Sequence, residues 1–142
     1  MPQGSNIAHR GEAVELILSL PVDISAAAIA RRAVSEKLVG ISLSNDLLAD
    51  ILLATSELVT NAIEHGQGPY RLRLAQSATT IRIEVYDGSP SRPLVKKTTP
   101  LEPRSRGLRL VAALASGRWG YAKESGGKQV WAEFTMDNSH QG

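Results

Sequence analysis

Apolar and polar residues change their period several times along this chain, and each change marks an element. From Ala13 to Leu20 they mix as in a strand, which Pro21 ends. Ala26, Ala30, Val34, Leu38 and Ile41 then form one helical stripe, with Arg31, Arg32 and Glu36 outside it and Ser25 placed to cap. A second helix is predicted from its cap Ser44 to about His65, where Gly66 and the Gly68-Pro69 pair stop it. In its first half Leu47, Leu48, Ile51, Leu52, Leu53 and Ala54 are apolar on nearly every face, so it starts deep in a core.

The period then drops to two. Leu72 and Leu74 alternate with Arg71 and Arg73, and Ile81, Ile83 and Val85 alternate with Arg82, Glu84 and Tyr86. Joined by Gln76–Thr80, these segments read as an antiparallel hairpin with one buried face. Gly88–Arg106, rich in prolines and bases, reads as a long loop, and loops of that length are usually functional or disordered. Leu108–Ser116 is expected to be a short helix with Gly107 before it and Gly117 after it. Two last strands, about 118–123 and 129–136, meet at Gly126-Gly127. The order predicts an α/β (α+β) two-layer sandwich, with helices on one face of a mostly antiparallel mixed sheet. One domain is expected over 13–136, between tails at 1–12 and 137–142.

Candidate chemistry begins where the second helix changes character. Glu57, Thr60, Asn61 and Glu64 fall at i, i+3, i+4 and i+7, a polar stripe on one side of the helix. A carboxylate and an amide one turn apart can share a hard ligand such as Mg²⁺; the same stripe also arises when a helix turns its polar side to solvent. Asp87 at a strand end, followed by Gly88, can accept a hydrogen bond from a ligand amine while the backbone passes close by, although Asp-Gly-Ser-Pro is also a good turn. Gly107, if it opens a helix, leaves N–H groups for phosphate.

Composition narrows the classes. With 142 residues, 42% of them hydrophobic and 21% charged, the chain is an ordinary globular domain. A formal charge of +2 does not by itself imply a nucleic-acid binder, and the absence of cysteine removes disulfides and thiolate metal sites. No run of about 18 apolar residues occurs, which argues against a membrane span and for a cytoplasmic protein. His9, His65 and His140 are too dispersed for a zinc site, and no nucleophile elbow or Walker pattern is present. His65 at a helix end is expected to interact with the terminal carbonyls, and Trp119 and Trp131 to pack.

Taken in order, four segments resemble the GHKL (Bergerat-fold) ATPase superfamily, in particular its anti-sigma-factor serine kinase branch of actinobacterial type. They are Ser56–Gly66 (the N box), Ile83–Pro90 (the first glycine box), Arg106–Val111 (the second) and Gly127–Trp131, within a resemblance spanning about 13–135. The resemblance implies a Bergerat-type ATP-binding fold with ATP and Mg²⁺ as cofactors. It implies Asn61 as the Mg²⁺ ligand and Glu57 as the catalytic base that deprotonates a protein serine. It places Asp87 at the adenine amino group and Gly107 at the phosphates, and it adds His65, Gly88, Arg106 and Leu108 to the cofactor-binding residues. Gly88–Arg106 corresponds to the ATP lid, whose bases would repel one another until a triphosphate orders them. The chain departs from the pattern at Ser89, Ser91, Ser105 and Arg109, where the family commonly has glycine, and at Lys128 and Gln129, where a threonine often approaches the adenine.

The implied function is an ATP-binding regulator similar to anti-sigma serine/threonine kinases. Such a protein sequesters a sigma factor, phosphorylates a STAS-type antagonist and can form a homodimer; neither nucleic acid nor membrane is a direct partner. The alternative is a catalytically degenerate module that keeps the fold and the partner surface. A nucleic-acid-binding α/β domain driven by the lid's charge is a third reading.

Overall fold

The structure, a computed structural model, describes residues 13–90 and 103–136, with the backbone alone for 103–106. Its order is β1 (Ala13–Leu20), α1 (Ala26–Leu38), α2 (Asn45–His65), β2 (Tyr70–Gln76), β3 (Thr80–Asp87), α3 (Pro103–Leu114), β4 (Trp119–Glu124) and β5 (Gly127–Thr135). The five strands form one sheet in the order β1-β2-β3-β5-β4. All four pairings are antiparallel, so the expected mixed sheet contains no parallel pair among the described residues.

The helices share one face of this sheet, and the period-two pattern explains how the core forms between the layers. Leu72, Leu74, Ile81, Ile83, Val85, Val130, Ala132 and Phe134 are buried, and Ile81, Ile83 and Val85 stand opposite Phe134, Ala132 and Val130 across the β3–β5 ladder. Ala30 and Val34 of α1, Ile51, Leu58 and Val59 of α2, and Leu108 and Val111 of α3 close the core from the helical side. Burial of such side chains contributes about 1.5–3 kcal/mol each for the larger ones, which fixes the sheet register. In α2 the buried Thr55 is satisfied by donating to the Ile51 carbonyl at 2.8 Å.

The other face of the hairpin is not the plain solvated surface that alternation predicts. Arg82 and Glu84 are both buried there. Glu84 accepts from Arg82 at 2.7 Å and from Arg73 at 2.9 Å, while Arg82 lies 4.2 Å from the Trp131 ring centre. Trp131 therefore stacks on an ion-paired layer, whereas Trp119 packs against the core.

Three boundaries differ from expectation. Ser44 caps α2 as expected, accepting from Leu47 N–H at 3.0 Å, but Ser25 makes no side-chain cap for α1. Asp23 takes that role: its carboxylate accepts from the Ser25 N–H at 2.8 Å and its carbonyl accepts from Ala26 N–H at 3.1 Å. Ile41 lies past the end of α1, beyond Gly40 at φ +90°, and is only partly buried. The third difference is at α3, which starts at Pro103 rather than after Gly107 and ends at Leu114 rather than Ser116. Proline is well suited to a first helical turn, where a missing N–H costs nothing. The rest of the expected lid, 91–102, and both tails lie outside the described residues.

Candidate functional site

The polar stripe of α2 is buried to different depths along its length. Glu57 and Thr60 are half-buried, Asn61 is buried and Glu64 is exposed. The Asn61 Oδ1 is buried and accepts no hydrogen bond among the described residues. Leaving a buried acceptor unmatched costs about 1–3 kcal/mol, so this oxygen is a place where a cation or a bound water would gain.

Two glycine contacts flank Asn61. Toward the start of the stripe, α3 lies against α2 so closely that a methyl on Gly107 would stand 3.1 Å from the Glu57 Oε1. At the other end, a methyl on Gly66 would meet the Asp87 carboxyl carbon at 2.4 Å. Asp87 thus lies on the helix-facing side of the sheet, beside the end of α2. Gly66 and Glu57 are separated by about 13 Å along the helix axis, at 1.5 Å per residue. Gly88 completes the lower end, where its N–H donates to the Gln67 carbonyl at 2.6 Å and an added methyl would meet the Gly68 carbonyl oxygen at 2.5 Å.

Asp87 is not a bare carboxylate. Its register partner across the ladder is Lys128, which is buried with it: the Lys128 Nζ lies 3.0 Å from Oδ2 and 3.1 Å from Oδ1. The Ser89 N–H donates to Oδ1 at 2.8 Å, and the Lys128 ammonium reaches the Ser89 carbonyl at 3.4 Å. The negative charge is also felt by Tyr70. Burial first, and the charge of Asp87 second, raise the Tyr70 phenol above its ordinary value.

Other residues sit differently from expectation. Gly107 is the fifth residue of α3, so its N–H falls within the range of an intrahelical partner and is not one of the free groups of the first turn. Leu108 is wholly buried in the core, leaving only its backbone for any ligand. His65 ends α2, but its Nε2 is buried with no hydrogen bond, Glu64 being 4.0 Å away, so that nitrogen does not cap the last carbonyls. The Arg106 side chain lies outside the described residues.

A family model for the histidine kinase-like ATPase domain matches residues 20–134, from the last residue of β1 to the last but one of β5. The chain belongs to this family. A solved structure of the RsbU and RsbW domains of Rv1364c from Mycobacterium tuberculosis is similar to it over 85% of the chain, at 25% identity and a TM-score of 0.65. This histidine kinase-like ATPase domain spans 32% of that longer chain. No curated protein matches the sequence.

Membership implies ATP, and one oxygen of the site fits its metal. Mg²⁺ commonly takes one or two protein oxygens and completes its shell with phosphate and water. An unmatched Asn61 Oδ1 meets that need, and no cluster of three or more acidic, histidine or cysteine ligands exists among the described residues to compete. The residue that the sequence reading did not assign a role is Lys128. Its signal was the strand register, which is a property of the folded sheet.

Proposed function

We propose that this histidine kinase-like ATPase domain binds ATP with Mg²⁺ and transfers phosphate to a serine of a protein partner. The observation that carries the reading is the unmatched Asn61 Oδ1 one turn from Glu57, with Gly107 closing on Glu57 and Asp87 meeting the end of α2 at Gly66. This order along the helix axis suits an elongated ligand, base at Asp87 and phosphates toward Asn61 and Glu57. Asn61 would hold the metal, which would neutralise charge on the phosphates. Glu57 accepts the serine hydroxyl proton as the oxygen attacks phosphorus and the bond to the leaving diphosphate breaks. Gly107 lets α3 approach that carboxylate. Partners in this reading are a sigma factor and an antagonist of STAS type, acting in the cytoplasm; no described helix is long and apolar enough to cross a membrane.

Calorimetric titration with ATP, with and without Mg²⁺, tests the reading. Binding that strengthens with Mg²⁺ in the parent, and loses that gain in Asn61→Ala, is the expected result. A second reading is favoured by the occupied Asp87 and by the helical Gly107: a protein-binding module without kinase activity. Absence of heat with either titrant would select it.

A further inference from the structure

Resting on the nucleotide-site reading, we infer that Lys128 determines base selectivity, and that the Asp87–Lys128 pair admits 6-oxopurine as well as adenine nucleotides. The carboxylate and ammonium are 1% and 2% exposed, and they are joined at 3.0 and 3.1 Å. Breaking such a pair leaves an uncompensated buried charge, so a base meets the two groups as a unit. It reaches them only by displacing the atoms that cover them.

Two effects then act in the same direction. Adenine offers an amino group at position 6, whereas hypoxanthine and guanine offer a carbonyl oxygen there. The adenine amino group must share an acceptor that already takes Lys128 on both oxygens and Ser89 N–H on Oδ1, so its advantage shrinks. A 6-carbonyl, which a lone carboxylate would repel, finds a donor in the ammonium, whose bond to the Ser89 carbonyl is long at 3.4 Å and easily exchanged. The ring N1–H beside that carbonyl donates to Asp87. Discrimination against an analogue comes from polar groups left unmatched, and here the position-6 group of either base finds a partner in the pair.

The test is calorimetric titration of the full chain with ATP·Mg²⁺ and with ITP·Mg²⁺. The parent is expected to bind ITP within about tenfold of ATP, far from the 10⁴–10⁵ rejection possible at a site built around one hydrogen bond. Lys128→Met should weaken ITP by about tenfold or more relative to ATP, as donor loss at a buried site predicts. Lys128→Arg, which retains charge and donors, should keep the narrow ratio. A purely structural role would weaken both nucleotides alike. A parent ratio above about tenfold, or an unchanged ratio in Lys128→Met, overturns the inference; the parent ratio decides alone if that variant does not fold. If the parent binds neither nucleotide, the site itself is misassigned and the inference falls with it.

Discussion

Replacing Gly107 by alanine should stabilise the fold while slowing the chemistry. Gly107 is interior to α3, where glycine costs about 0.8–1.0 kcal/mol relative to alanine. Opposing that gain, the new methyl would stand 3.1 Å from the Glu57 Oε1, tighter than ordinary contact. The obstructing atom is the far end of a flexible, half-buried side chain, which can give way by a few tenths of an ångström at small cost. The next nearest atom is the Glu57 carbonyl oxygen at 3.9 Å, which is not crowded. A net gain of about 0.5–1 kcal/mol remains. With a urea slope of about 2 kcal/mol/M, the unfolding midpoint should rise by about 0.3–0.5 M. ATP turnover should fall, because the displaced carboxylate no longer meets the hydroxyl it must deprotonate, with nucleotide affinity little changed. A midpoint below the parent's would refute the helical accounting at Gly107. A higher midpoint with unchanged turnover would remove Glu57 from the chemistry.

Four further outcomes are expected. Glu57→Gln should bind ATP·Mg²⁺ nearly as the parent does and lose phosphotransfer, measured by transfer of labelled phosphate; retained transfer would end the base assignment. Gly66→Ala, with a methyl forced to 2.4 Å from a carboxyl carbon that Lys128 and Ser89 hold in place, should lower stability in urea by at least about 1–3 kcal/mol. Gly68→Ala is its control, because the added methyl meets nothing closer than Val22 at 3.5 Å; a cost as large as that of Gly66→Ala would refute the steric argument. Tyr70 has a folded value raised above its ordinary 10.0, so its contribution is complete below that pH and is lost as pH rises through the folded value. Urea midpoints of the parent should therefore fall more steeply than those of Tyr70→Phe above about pH 10, and parallel curves would contradict the burial of the phenol.

Patterns that act within one element were readable before folding. The extent of α2, its Ser44 cap and its polar stripe all follow from residues a few positions apart. So did the buried face of the β2–β3 hairpin, where Leu72 faces Val85 and Leu74 faces Ile83 across the ladder. Three features depended on contacts that spacing does not encode. The start of α3 was obscured because Pro103, Ser105 and Gly107 read as loop residues, although proline favours a first turn and Gly107 lies against Glu57. Asp23 outcompeted Ser25 as cap because its carboxylate reaches the Ser25 N–H two residues on. The Asp87–Lys128 pair spans 41 residues of sequence and exists only because the β3–β5 register sets them opposite.

The two glycine contacts on α2 have a consequence for how this chain can vary. Between Glu57 and Gly66 the helix acts as a gauge of fixed pitch, setting both the distance and the angular phase of its two ends. Deleting one residue there would shorten the gauge by about 1.5 Å and turn one end against the other by about 100°. Such a change would carry the Gly66 surface away from Asp87 even if every side chain named above were kept. Length changes should therefore be excluded from this stretch and accumulate instead in the turns outside it, such as Ser77–Thr79, where the chain can absorb them.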